Sequence, residues 1–483
     1  MNRSATSPAS PAGQLRAADC VVCIDVGSTY TKAAAVDTVT GALVATAAHA
    51  TTIGTDVLEG VDAVRAELAA ALPGQDLSQV LACSSAGGGL RLAVVGYERA
   101  VTAEAGYRVG LSAGAKVVHV SSGELTPSSV AALAADRPDV VLLVGGTDGG
   151  NAEVLRSNAS VLAASSEGVA ALPRVPVVVA GNVDVRDEVA GVLTAAGWTA
   201  FPAANVLPRI GVLDPMPARA AIRSVFIEHV IGGKHLSASP DFARMVRAAT
   251  PDAVLAGVEL LADGYEGVPG VGDVVVVDVG GATTDVYSVV TPDPEEAALH
   301  REVVEVMWRG RTVEGDLGVR WSAPGVVEAA LAERLLTADE AAVLAVAAER
   351  RMADPALLAT DDEGRAVDAL LAELALTIAL RRHARPHDSG EVRHHGKDLR
   401  GVRLVVGSGG VLRHADPAAL QRILAPAVAD HGGGWKVPDR AELAVDARYV
   451  LAAAGLLAST HPEAAARLAT GALTRLPSGA VRP

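Results

Sequence analysis

The stretch CIDVGSTYTKAAAVD, Cys23 to Asp37, reads as an apolar strand, an aspartate, a glycine turn, a set of hydroxyl residues and a second apolar strand. Far downstream, VVDVGGATTDVYSV, Val276 to Val289, repeats that order. One such hairpin taken alone is compatible with an ordinary turn. Two of the same design, each opening its own half of the chain, point to a duplicated fold that closes on a ligand between its halves. In the first, Gly27 frees the turn so that backbone N–H groups can face an anion. Ser28, Thr29 and Thr31 offer hydroxyls there, and Lys32 supplies a positive charge. Asp25, at the strand end, is placed to hold Mg²⁺ through water, because Mg²⁺ sheds water reluctantly. In the second, Gly280 and Gly281 allow close approach, Thr283 and Thr284 offer hydroxyls, and Asp278 takes the position of Asp25, with Asp285 as a further carboxylate. Asp25 and Asp278 are therefore the candidate catalytic and metal-holding pair. Two carboxylates facing one phosphate chain from opposite lobes suit chemistry in which positioning and charge neutralisation do most of the catalysis.

The chain has 483 residues, too many for one compact core, so two or more domains are expected. Half the residues are apolar but only 3% are aromatic, so alanine, valine, leucine and glycine must fill the core. A formal charge of −15 disfavours nonspecific contact with nucleic acid or an anionic membrane. No segment approaches the roughly 20 uninterrupted apolar residues that span a bilayer. The opening residues are polar and rich in Ser, Pro and Ala, without the apolar centre of a secretory signal. The expectation is a soluble, cytoplasmic protein. Cys20, Cys23 and Cys83 make no disulfide framework, and Cys20-x-x-Cys23 lies in a strand entry without a second Cys/His pair, which favours a structural role.

Working outward from the first hairpin, Val21–Val26, Thr31–Asp37 and Ala42–Ala50 read as strands, Asp56–Ala71 as a helix and Val80–Cys83 as a strand. That order is expected of a ribonuclease-H-like lobe. From Leu90 through the strand Val177–Ala180 and the helix after it, strands and helices alternate, which implies a mainly parallel sheet with helices on its faces. Its Gly-rich strand ends at Gly87, Gly145 and Gly181 fall on the edge where small ligands sit in such sheets. Pro208–Pro217 reads as a linker, Ala218–His229 and Pro240–Ala249 as helices, and Glu328–Arg351 and Asp368–Arg382 as longer helices. His383–Asp398 reads as a polar surface loop, Arg403–Val406 as a strand and Tyr449–Ala458 as the last core helix. The fold class is thus α/β: two ribonuclease-H-like lobes with a nucleotide cleft between them, the first enlarged by extra βα units. The expected divisions are a tail over 1–18, a first lobe over 19–215, a second over 216–460 and a tail over 461–483.

A third glycine turn, VVGSGGVLRH (Val405 to His414), follows a strand, and Gly407, Gly409 and Gly410 leave room for a flat ring. These three segments in this order resemble the actin, sugar kinase and heat-shock-protein ATPase superfamily, whose two phosphate motifs and adenosine motif they match. AAAGLL, Ala452 to Leu457, resembles its late hinge helix. The resemblance implies ATP and Mg²⁺ in the cleft. A closer resemblance lies in CSSAGGGLRLAVVG (Cys83 to Gly96), LLVGGTDGGN (Leu142 to Asn151) and GRTVEGDLGVR (Gly310 to Arg320), together with the third turn. This set is similar to the glutamate mutase accessory family called MutL or GlmL, distinct from the mismatch-repair protein of that name. It runs from about Cys20 to Leu457. The resemblance implies an ATP-dependent reactivating factor for an adenosylcobalamin-dependent amino-acid mutase, glutamate mutase first, with mutase subunits as partners and slow Mg-ATP hydrolysis coupled to lobe closure. It leaves open whether the chain forms a homo-oligomer. A small-molecule kinase and a nucleotide-binding module without turnover are the alternatives. No base-off cobalamin signature of the Asp-x-His-x-x-Gly type is present.

Several residues carry two readings. Asp148 either touches nucleotide or metal, or caps the helix beginning near Ala152. Glu104 either orients water or favours a helix dipole. Glu314 and Asp316 either face the cleft or a partner, or lie in a surface turn. His383, His387, His394 and His395 invite a metal reading, but their irregular spacing favours a solvated loop.

Overall fold

The protein is described by a computed structural model. It describes residues 20–86, 88–97, 102–165, 172–231, 236–291, 309–385, 397–431 and 433–477, with the backbone alone at 387–389 and 392–394. The expected tail over 1–18, Gly87, His395 and the side chains of His387 and His394 lie outside the described residues.

The first lobe begins with β1 (Cys20–Val26), β2 (Tyr30–Asp37) and β3 (Leu43–Ala50), then α1 (Val57–Ala71) and β4 (Val80–Ser84). Every residue of β1 is buried, as expected of a central strand covered on both faces. Asp56 caps α1 by accepting from the Leu58 N–H at 2.8 Å. The chain then leaves for a separate sheet: β5 (Arg91–Gly96), α2 (Glu104–Ser112), β6 (Lys116–Ser122), α3 (Pro127–Ala135), β7 (Val140–Leu143), α4 (Glu153–Ala164), β8 (Val177–Val179), α5 (Val183–Ala195) and β9 (Ala200–Pro202). Its five strands are all parallel in the order β6-β5-β7-β8-β9. α6 (Met216–Val225), a π-helical turn (Phe226–Val230) and α7 (Pro240–Met245) lead back to β10 (Val246–Ala249). β10 pairs parallel with β4, giving the sheet β10-β4-β1-β2-β3. α8 (Thr250–Asp263) and a small hairpin, β11 (Gly264–Tyr265) and β12 (Val268–Pro269), follow.

The second lobe contains β13 (Val274–Val279), β14 (Thr284–Val289), β15 (Arg309–Glu314), α9 (Ala323–Ala332), α10 (Ala338–Ala353), α11 (Asp362–Ala384) and the short pair β16 (His387–Ser389) and β17 (Val392–His394). It continues with β18 (Leu404–Ser408), α12 (Gly410–His414), α13 (Pro417–Leu424), β19 (Glu442–Val445), α14 (Val450–Leu457), α15 (Pro462–Gly471) and β20 (Thr474–Arg475). Its sheet runs β15-β14-β13-β18-β19-β20. Apart from β20, both lobes therefore have the order third, second, first, fourth, fifth strand, the first three antiparallel and the rest parallel. The expected duplication is present as topology.

α8 and α14 lie between the two sheets. Val21, Cys23, Ala34 and Cys83 cover them from one side, and Val276, Tyr287 and Val406 from the other. Two glycines set their separation. A Cβ on Gly257 would stand 2.0 Å from the Leu451 carbonyl oxygen, and one on Gly455 1.8 Å from that of Ala253. The helices therefore touch backbone to backbone.

Five expectations change. Pro240–Ala249 is not one helix: Val246, Ala248 and Ala249 are buried as the edge strand β10, because β4 would otherwise have an open side. Residues 216–249, assigned by sequence to the second lobe, thus complete the first. Ala218, Ile222, Phe226 and Phe242 share its core. The long helix over Glu328–Arg351 breaks, and Thr337 restarts it with a capping box to Glu340. His383 is no loop residue: it is 3% exposed near the end of α11, bonded to Ser288 at 2.9 Å and Thr312 at 2.9 Å. Beyond residue 460, Ala465, Leu468 and Ala469 of α15 enter the core between the sheets, and β20 pairs with β19.

Candidate functional site

Both hairpins place an aspartate next to last in the incoming strand. Across β1 and β2, Asp25 pairs in register with Lys32; across β13 and β14, Asp278 pairs with Asp285. The turns close alike. The Gly27 N–H donates to the Tyr30 carbonyl at 3.1 Å, and the Gly280 N–H to the Thr283 carbonyl at 2.9 Å. A Cβ on either glycine would stand 2.8 Å from that carbonyl oxygen, so each turn requires glycine.

Three elements hold the Asp25 carboxylate. Its Oδ1 accepts from the Thr250 hydroxyl at the start of α8 at 2.6 Å and from the Cys83 thiol in β4 at 3.6 Å. Its Oδ2 faces Lys32 Nζ at 3.5 Å. Asp278 has the matching register neighbour on β18, Ser408, whose hydroxyl favours the ionised carboxylate. Burial pushes the Asp278 carboxyl up to about 6; Lys32 and Ser408 oppose this, and Asp285 and Asp25 add to it. Burial alone would lower the Lys32 ammonium, but Asp25, Tyr449 and Asp278 outweigh it and hold it at about 12. The structure thus brings Asp25, Lys32 and Asp278 into one electrostatic neighbourhood.

The remaining expected site residues divide by exposure. Ser28 and Thr29 are exposed at the first turn, and Gly280, Gly281 and Thr283 are half-buried at the second. Thr31 and Thr284 are fully buried. Thr31 bonds the Thr51 hydroxyl at 3.1 Å, and Thr284 donates to the Leu317 carbonyl. Strand alternation is the reason, since each lies next to the residue paired with the aspartate and so points to the other face. Gly407 and Gly409 also differ from expectation. Both are buried: Gly407 packs against Leu412 and Leu424, and a Cβ on Gly409 would stand 2.2 Å from the Val279 carbonyl oxygen. They bring β18 against the second hairpin; only Gly410 opens onto free space.

Other site residues escaped the sequence reading. Thr250 lay hidden in the missed edge strand and helix. Cys83 and Ser408 each precede a Gly-rich segment at matching places, a signal that extending the repeat comparison would have found. Asp446, 2% exposed, accepts from the Val450 and Leu451 N–H groups at 2.8 and 3.1 Å and caps α14. Among the described residues no group of three or more His, Cys, Asp and Glu gathers to hold a metal. Two carboxylates with nearby hydroxyls are, however, a donor set that fits Mg²⁺, which keeps several waters and shares phosphate oxygens.

The match to known proteins extends over this whole arrangement. The family described as MutL protein matches residues 21–473. The chain belongs to the MutL protein family. It is 36% identical over 461 residues to Protein MutL of Clostridium tetanomorphum, covering 93% of this chain and 98% of that one. Among solved structures, nucleotide-free acetone carboxylase aligns over 91% of this chain and 70% of its own, at 16% identity and a TM-score of 0.39. Xylulose kinase from Bifidobacterium adolescentis aligns over 95% of each, at 12% identity and a TM-score of 0.31. Those two likenesses are distant, and the fold rests on the strand orders described above.

The segments that suggested the MutL family now have physical roles. In GRTVEGDLGVR, Arg311 is buried and donates to Asp285 at 2.7 Å, while Val319 and Arg320 N–H groups brace the second turn through the Gly280 and Gly281 carbonyls at 3.0 and 2.8 Å. Glu314 and Asp316 both pair with Arg382, at 2.9 and 2.7 Å. In GGTDGGN, Asp148 accepts from the Val183 N–H at 3.2 Å and Asn205 at 2.8 Å, so it serves α5 rather than the helix near Ala152. Glu104 is 4% exposed and pairs with Arg108 at 2.6 Å within α2. Among the described residues no helix is long and apolar enough to cross a membrane.

Proposed function

We propose that this chain binds Mg-ATP between its two lobes and couples slow hydrolysis to lobe closure, reactivating an adenosylcobalamin-dependent amino-acid mutase, with glutamate mutase the first client to test. The observation that supports the nucleotide part is Lys32: its ammonium lies 3.5 Å from Asp25 of its own hairpin and within the field of Asp278 from the opposite lobe. The client follows from membership in the MutL family and its resemblance to mutase accessory proteins.

In this reading Asp25 and Asp278 would hold Mg²⁺, which would neutralise phosphate charge. The Ser28 and Thr29 hydroxyls and the turn N–H groups at Gly27, Gly280 and Gly281 orient the phosphates, and Thr283 adds a hydroxyl. Lys32 neutralises charge that develops on them. Bound Mg-ATP supplies the phosphoryl group whose transfer to water releases the free energy. Thr250 and Cys83 fix Asp25, and Ser408 fixes Asp278, so neither carboxylate has to reorganise. In this reading the base approaches Gly410, which has open space beside it. For the kinase alternative the candidate base is Asp148, whose Oδ1 already accepts from Val183 and Asn205. The decisive experiment mixes the protein with inactivated mutase, Mg-ATP and fresh adenosylcobalamin. Activity should return with ATP and stay at background without it, and with Asp25→Ala or Asp278→Ala. Equal recovery with and without ATP would sink the proposal.

A further inference from the structure

Tyr449 precedes α14 with φ 55° and ψ 40°, a left-handed conformation that costs a non-glycine residue on the order of 1–2 kcal/mol. Its ring is half-buried and touches two cations. Lys32 Nζ lies 3.8 Å from the ring centroid, and the Arg413 guanidinium carbon 5.2 Å from it. These come from different lobes: Lys32 from β2 and Arg413 from α12, just after Gly410. Arg381 and Arg385 share the Trp435 ring in the same way, but both of those are also ion-paired with Glu333. The Arg413 backbone N–H donates to the Gly409 carbonyl at 3.0 Å, but its guanidinium makes no hydrogen bond or ion pair with any described residue, in a chain of net charge −15. Lys32 is held loosely by Asp25, at 3.5 Å against the usual 2.7–2.9 Å of a charge-assisted bond.

Resting on the nucleotide reading above, we propose that Tyr449 is a positioning residue for polyphosphate: its ring limits the Lys32 ammonium to a long contact with Asp25 and, carrying the Arg413 guanidinium as well, directs both cations at an incoming phosphate chain. Without the ring, Lys32 has Asp25 and Asp278 as its nearest partners and collapses onto them. Lys32 then has to be drawn off those carboxylates before it can meet a phosphate, and Arg413 loses the one contact that orients it. A cation held over a ring is worth about 0.5–2 kcal/mol, enough to change affinity severalfold. The left-handed backbone places the ring, and its cost is met by the Asp446 cap on the Val450 and Leu451 N–H groups directly after it.

The test titrates the full chain with Mg-ATP and, separately, with inorganic tripolyphosphate. Tyr449→Asn removes the ring but tolerates the left-handed backbone, and Tyr449→Phe keeps the ring. Asn should weaken both ligands by about fivefold, and Phe should bind within about twofold of wild type. In a Lys32→Ala/Arg413→Ala background, Asn should add no further loss. The Lys32 side-chain proton signals should be shifted upfield by the ring in wild type and Phe, and not in Asn. Wild-type affinity in the Asn variant, or an equal loss in the double-alanine background, overturns the role of Tyr449 while leaving Mg-ATP binding intact. If tripolyphosphate binds with this pattern and Mg-ATP does not bind, the nucleotide reading fails and the role of Tyr449 stands. If neither binds, both fail.

Discussion

The two hairpins have the same backbone and opposite electrostatics. In the first, the residue across from the strand-end aspartate is Lys32; in the second it is Asp285. The second lobe therefore imports its cation. Arg311, on the neighbouring β15, pairs with Asp285 at 2.7 Å. The same division holds one strand away, where Cys83 meets Asp25 and Ser408 meets Asp278. The duplication thus preserved backbone geometry, which hydrogen bonding and glycine dictate, and let each side chain differ wherever a neighbour could compensate. The first hairpin has a loose, half-buried cation free to meet a ligand. The second has a buried one committed to structure.

The largest expected effect tests whether the halves are equivalent where they meet. Gly257→Ala and Gly455→Ala should each destabilise the protein by about 3 kcal/mol or more, since both put a Cβ into a facing carbonyl. Thermal or denaturant unfolding reads this, and a clear loss from only one of them breaks the symmetry. Next, Arg311→Met leaves Asp285 buried and unpaired and should cost about 3 kcal/mol, while Lys32→Met should cost about 1 kcal/mol or less. Equal costs would show that the two cations play the same part.

Asp278 gives the third test, with a defined sign. Its folded pKa of about 6 exceeds the ordinary aspartate value, so its contribution to stability is fully present below the unfolded value and is lost as pH rises through about 6. Asp278→Asn should therefore be more stable than wild type above pH 6, on the order of 2 kcal/mol, with the gap closing toward pH 4. The same variant should lose about 100-fold in Mg-dependent ATP turnover. Wild-type turnover should rise with pH as that carboxylate ionises. A gap that stays constant from pH 4 to pH 8 contradicts the buried-carboxylate account. The smallest effect separates exposed from buried hydroxyls. Thr31→Val should cost about 1 kcal/mol of stability and leave nucleotide affinity unchanged, whereas Thr29→Ala should do the reverse, weakening affinity a few-fold.

Legibility followed the range of the interactions. The hairpins were readable because a turn, its glycine and two flanking apolar runs are local. The edge strand β10 was not. Val246–Ala249 carries no period of its own, and only the open side of β4 makes it a strand. α8 was missed with it, and the lobe boundary moved as a result. His383 looked solvated because its neighbours in sequence are polar, yet Ser288 and Thr312 from the next strands hold it in the core. The hydroxyls were half right. Counting Ser and Thr in a turn cannot say which face each takes, and register directs Thr31 and Thr284 inward.

The sequence by itself determined the duplicated α/β plan, the strand-end aspartates and the glycine turns, because these rest on backbone rules that act within a few residues. Tertiary structure alone decided which groups share the cleft. Thr250 reaches Asp25, Ser408 reaches Asp278, and Tyr449 joins Lys32 to Arg413 across hundreds of residues. Such contacts exist only after the two sheets have closed on α8 and α14, where a pair of glycines sets the distance between those two helices.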